Sequence, residues 1–305
     1  MMNRHVSRRV DLGAVMRAPL AAMHWRLLVL WTLLLLLPTA VVSLPLWRRL
    51  SGLLDHSVHA PAWAAQFSPL MFGDTLSALG DDSGWLGGAA ILGLLLTLLL
   101  MPFLNGMLVG GGRANRVLGF GHLLQCGIVE YGRMFRLMLW SIVPYAAMAA
   151  LAGVALHLAD GVGEKAVLQA QADRASHLAL LVAGVLFVLA QAMVEAGRAA
   201  FIADGNLRSA TRAFGRGFMQ LLRRPFSTLL SYVLISVIGY ALALALGMGR
   251  LHAPALGTGG LLLAMLLTQL AVLVLGWVRV ARVYALAEVA RSLSSRRGGG
   301  LPQAL

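Results

Sequence analysis

Long apolar runs alternate with short arginine-bearing segments along the chain. Six runs have roughly the 20 mostly apolar residues that a helix needs to cross a bilayer. They cover 27–47, 85–109, 137–159, 178–194, 226–248 and 260–278. None shows the alternation of apolar and polar positions that marks a strand of a membrane barrel. The pattern predicts an all-α fold, a polytopic membrane bundle of six transmembrane helices with interfacial helices in its loops. A single integral membrane domain occupies 1–305 in this reading. Prolines inside the runs, Pro38, Pro45, Pro102 and Pro144, are tolerable kinks where neighbouring groups take up the freed carbonyls. Pro225 stands at the entrance to the fifth run, where the first helical turn accepts proline without losing a bond.

The segments between the runs carry their own patterns. Residues 48–84 hold Trp63, Phe67, Leu70, Met71, Phe72 and Leu76 with few charges, interrupted by Pro61, Pro69 and Gly73. Too apolar for a free loop and too broken to span, this segment is expected to form short helices lying on the outer leaflet or capping the bundle. Trp47, Trp63 and Trp85 would anchor it at interface depth. Two inner segments, 113–136 and 204–224, place apolar residues among Gly and Arg at helical spacing. In the second, Phe214, Phe218, Leu221 and Leu222 can face lipid, while Arg208, Arg212, Arg216, Arg223 and Arg224 reach acidic head groups or a protein partner.

Charge adds an orientation. The chain carries 25 basic residues against 12 acids, a net charge of +13. By the predicted topology twenty of the basic residues fall on one side of the membrane and five on the other (Arg48, Arg49, Lys165, Arg174 and Arg250). Positive-inside bias then puts both termini in the cytoplasm, as expected of a multi-pass protein of the bacterial inner membrane. Ser7-Arg8-Arg9 precedes an apolar run that begins only at Leu27 and has no small-residue cleavage site at its end. The first run is therefore read as an uncleaved helix. Nucleic-acid binding is not expected, since the basic residues lie between spans and no zinc-finger or recognition-helix pattern occurs. Arginines follow spans two, four and six at similar spacing, which suggests three tandem hairpins. The simpler explanation, and the favoured one, is that every inward helix end attracts arginine.

Candidate chemistry is sparse. Gly110-Gly111-Gly112-Arg113 lacks the Lys-Ser/Thr of a phosphate loop. His56 and His59 beside Asp55 resemble half a metal site, but a metal needs further ligands in defined geometry. No metal or other cofactor is expected. Cys126 is the only cysteine, so no intrachain disulfide forms. Glu195 and Arg198, one helical turn apart at the inner end of span four, are read as a structural ion pair near the interface. Asn105, Gln191 and Gln269 are among the few polar groups inside the spans, too few for a proton- or sodium-coupled transporter.

Four stretches carry a family resemblance: Glu195-Ala-Gly-Arg198, Ala210-Thr-Arg-Ala-Phe214, Leu222-Arg-Arg-Pro225 and Leu230-Ser-Tyr232. Together they resemble a pattern in uncharacterised six-span bacterial inner-membrane proteins, and Leu54-Asp55-His56-Ser57 looks similar too. The architecture is reminiscent of the membrane domains attached to some glycerophosphodiester phosphodiesterases. The chain departs from the family pattern at Gly197, before Arg198. The resemblance implies the six-span fold and no catalytic residue. The function expected is that of a non-enzymatic accessory or scaffold protein engaging anionic lipid, or a membrane partner or second copy, through its arginine-rich inner loops. The alternative is a permease subunit driven by a separate ATPase, with 206–222 as its docking helix. Glu195-Ala196-Gly197 matches the permease Glu-Ala-Ala signature only in part.

Overall fold

The computed structural model describes residues 24–55, 57–59, 61–62, 69–80, 84–114, 117–166, 168–253 and 257–294. Their order is α1 (Trp25–Leu54), α2 (Pro69–Gly80), α3 (Gly84–Arg113), α4 (Phe120–Gly163), α5 (Gln169–Ala203), α6 (Ala210–Arg223), α7 (Pro225–His252) and α8 (Gly257–Ser294). No strand occurs among the described residues. Six of the helices, all but α2 and α6, are long and apolar enough to cross a membrane. The protein is a multi-pass helical membrane protein.

Burial explains why these helices need lipid. In each span no more than 28% of the most apolar 18-residue stretch is buried within the protein. Leu94, Leu95 and Leu98 of α3, Leu180 and Leu181 of α5 and Leu262 and Leu266 of α8 are all exposed. In water such continuous apolar surface would drive aggregation, whereas against acyl chains it costs nothing.

Packing concentrates at one end of the bundle, the end where α3, α5 and α8 run into arginine. There Leu104, Met107 to Val109, Ala192, Ala196, Ala199 to Ile202, Val280, Ala281 and Val283 to Ala287 form a continuous buried core with Leu27 and Trp31. Without a hydrophobic force between helices in lipid, association depends on close packing and small residues. A Cβ on Gly106 would lie 3.0 Å from the Gly127 carbonyl oxygen, so α3 and α4 approach nearly backbone to backbone. A Cβ on Gly239 would sit 1.9 Å from Val278 Cγ2, locking α7 to α8 in the same way. The helices pair as α1 with α3, α4 with α5 and α7 with α8, and α5 joins α8 across the middle.

The helices are longer than the apolar runs. The segment 120–135, expected as a separate interfacial helix, is instead the first part of the 44-residue α4. Arg133 and Arg136 favour helix, and Arg133 pairs with Glu130 one turn earlier, so nothing breaks the helix before the span begins. Likewise α8 continues past 278 through Arg279 and Arg282 to Ser294. Of the outer segment, α2 forms as a short helix that buries no residue. Trp63 and Phe67 lie outside the described residues, and Arg49 of α1 stacks 5.8 Å over the Trp85 ring.

Candidate functional site

Helix α6 is seated on the arginine-rich end of the bundle by its own sequence. Ser209 caps it in extended conformation, its hydroxyl accepting from the Arg212 amide at 3.4 Å. Pro225 opens α7 immediately afterwards, so α6 ends within two residues. Its buried residues, Ala210, Ala213, Gly217 and Gln220, form one helical face. A Cβ at Gly217 would lie 2.5 Å from the Gly197 nitrogen and 2.8 Å from the Met193 carbonyl oxygen, so only glycine permits this contact with α5. Gln220 Nε2 donates to the Leu286 carbonyl at 3.1 Å, tying the same face to α8. Phe214 stacks on Trp140 of α4 at 5.6 Å between ring centroids.

The rest of α6 divides sharply. Arg212, Arg216 and Arg223 are exposed along one side. Phe218 and Leu222 are exposed along another, at 46% and 59%. Arg208, just before the helix, is also exposed, and Arg224, between α6 and α7, is half-buried. Arg216 donates to Asp204 at 2.6 Å, and that hydrogen bond holds the Asp204 carboxyl below the ordinary carboxylate range. An open hollow of about 500 Å³ between α4 and the start of α6 is flanked by Arg136 and Arg208.

Beneath α6 lies a charged cluster whose pairing differs from the expected Glu195–Arg198 pair. Glu195 does not pair with Arg198. Its Oε1 accepts from Arg282 Nη2 of α8 at 2.8 Å, with 2% and 9% of the two side chains exposed. Residues one turn apart on a helix project from the same face, but Glu195 here reaches across to the neighbouring helix. Arg282 Nη1 also donates to the hydroxyls of Tyr232 (3.1 Å), Ser236 (3.2 Å) and Tyr240 (3.3 Å) of α7. Its guanidinium stacks 4.7 Å over the Tyr232 ring. The network therefore joins α5, α7 and α8 through one arginine. Arg198 is buried, and it senses Glu195 and Tyr145 electrostatically without an ion pair to either. The two residues are not at a solvated interface, as the sequence suggested, but inside the protein.

A second network binds α3, α4 and α5. Arg113 Nη1 meets Glu130 Oε1 at 2.6 Å, Arg133 holds both oxygens of Glu130, and Arg113 Nε donates to the Phe201 carbonyl at 2.7 Å. Glu130, Arg279 and Arg282, which no local motif marks, join these networks. Their signal lay in their neighbours. Arg279 and Arg282 sit in Val278-Arg-Val-Ala-Arg-Val-Tyr-Ala-Leu286, apolar on every side, and a helix apolar all round is a buried one.

His56 lies outside the described residues, so the His56–His59 spacing has no described geometry. Among the described residues no three His, Cys, Asp or Glu side chains come together in a metal-sized group. No protein-family model, curated protein or solved structure matches the chain.

Proposed function

We propose that the protein is a non-enzymatic accessory or scaffold of the bacterial inner membrane that engages anionic lipid through α6, on its cytoplasmic side. The observation that carries this reading is the three-way division of α6. Small residues seal one face to the bundle, exposed arginines line a second, and Phe218 and Leu222 are exposed on a third. An interfacial helix needs this arrangement: apolar side chains in the acyl boundary and cations level with the head groups. Clamping by Gly217 and Gln220 fixes the arginines in position, so less side-chain freedom is lost on binding. The six-span resemblance supports the same setting.

The test replaces Arg208, Arg212 and Arg223 with Gln, sparing Arg216 because it holds Asp204. Each cation near an anionic surface contributes about 1 kcal/mol, so three contribute at most about 3 kcal/mol, or roughly a hundredfold. Wild-type protein in nanodiscs of mixed composition should enrich phosphatidylglycerol over phosphatidylcholine in its lipid shell, and the triple variant should lose most of that enrichment. Equal enrichment by the two proteins would refute the reading. Stoichiometric co-purification of an ATPase, lost in the triple variant, would replace it with the permease-subunit alternative.

A further inference from the structure

A lateral groove of about 470 Å³ runs between α1, α3 and α8, well away from α6. Arg279 meets Trp31 and Met101 at one level of it, and Val42 meets Gly93 about three helical turns away. From Trp31 to Val42 the helix rises about 16 Å. The walls are apolar, including Leu35, Pro38 and Leu275. The two threonines in the walls present no free hydroxyl hydrogen, because Thr39 donates to the Leu35 carbonyl and Thr97 to the Gly93 carbonyl. Among the described residues that line it, Arg279 is the one that carries a charge.

That arginine has no ion-pair partner among the described residues. Its Nη1 lies 3.5 Å from Met101 Sδ, a weak acceptor, and its guanidinium carbon is 5.6 Å over the Trp31 ring. Its Nε is buried without a hydrogen-bond partner, and no carboxylate of a described residue comes within ion-pairing distance. The neighbouring cluster cannot neutralise it. Arg198, Arg279 and Arg282 sense one another and share a single acid, Glu195, already bound to Arg282. Arg198 and Arg282 are buried and Arg279 is half-buried on the groove wall, so three guanidiniums against one carboxylate leave a formal excess of two positive charges there. Buried charge without a partner is strongly unfavourable, so an anion from outside the chain fits this end of the groove.

We infer that the groove takes one acyl chain of an anionic phospholipid, with the lipid phosphate held by Arg279. The apolar walls match a chain, the cation at one end matches a phosphate, and the groove volume lies in the range of ligand pockets. Phosphate–guanidinium bonds are charge-assisted and tolerate burial when paired. A second protein helix would fill the groove but would not supply the negative charge. This site is separate from α6 and does not depend on the function proposed for that helix.

The experiment is native mass spectrometry of the full-length protein released from detergent, titrated with phosphatidylglycerol or with phosphatidylcholine of the same chains. One phosphatidylglycerol should remain bound under activation that strips the phosphatidylcholine. Both Arg279→Gln and Val42→Trp, the latter filling the far end of the groove, should weaken its retention about tenfold. The Arg208, Arg212 and Arg223 triple variant should keep this lipid, which separates failure here from failure of the α6 reading. Equal retention by wild type and both groove variants would overturn the inference. So would displacement of the lipid by inorganic phosphate alone, or a lipid-free dimer abolished by Val42→Trp.

Discussion

Glu195 helps to hold α5, α7 and α8 together at the packed end of the bundle through its ion pair with Arg282. Glu195→Gln keeps the shape of the side chain and an oxygen acceptor for Arg282, but removes the one negative charge in a cluster of three arginines. The ion pair is 2.8 Å long with only 2% of the glutamate side chain exposed, so solvent screening is slight. At an effective dielectric constant of about 20, two charges about 4 Å apart attract by roughly 4 kcal/mol. Measured losses on breaking buried pairs are about 3–5 kcal/mol, because the remaining charge stays buried and uncompensated. We expect a loss of that size in reversible unfolding from mild detergent into denaturing detergent, followed by tryptophan fluorescence. Arg282→Met removes a cation from a cluster with too many, so its cost should come chiefly from the tyrosine and serine hydroxyls it leaves. The Glu195→Gln/Arg282→Met double variant should then lose less than the two single losses together, by about 1–3 kcal/mol. An unfolding midpoint for Glu195→Gln indistinguishable from wild type would refute the reasoning, since it would mean that water reaches the cluster and screens it.

Two further predictions follow from the seating of α6. Gly217→Ala places a methyl group 2.5 Å from the Gly197 nitrogen and should cost about 1–3 kcal/mol. Gly197→Ala meets nothing closer than 3.5 Å, so it should be neutral or slightly stabilising in the same unfolding assay. Asp204 has a depressed folded-state pKa because Arg216 hydrogen-bonds to it. Its stabilisation is therefore complete above the ordinary carboxylate pKa of about 4 and fades as pH falls through the lower folded value. Thermal midpoints taken from pH 6 down to pH 3 should fall less steeply for Asp204→Asn than for wild type. The effect is small, because both partners are partly solvated.

The order and number of the spans were legible from the chain alone. A span is a local property: the bilayer asks only for a certain length of apolar helix, and each run either meets that length or does not. The amphipathic nature of 204–224 was legible for the same reason, since helical period converts spacing directly into faces. Helix length was less so. The apolar runs mark where lipid begins and ends, but Arg133, Arg136, Arg279 and Arg282 are good helix formers, and the helices run on through them. Local pattern could not say that α6 turns Gly217, and not Phe214, toward α5.

Pairing was beyond the sequence. Glu195 and Arg198 look like partners because they are one turn apart, yet the carboxylate is held from 87 residues away by Arg282. Arg113 likewise looks like a topology determinant and turns out to clamp three helices through Glu130 and the Phe201 carbonyl. Which of many similar arginines enters the core depends on where the helices cross, and the crossings depend on single glycines meeting backbone or branched side chains on distant helices. Apolar run length along the chain was enough to place this protein in a membrane and to count its crossings. Only the tertiary structure decided which charges are buried and which remain exposed, because that is settled by contacts between helices far apart in the chain.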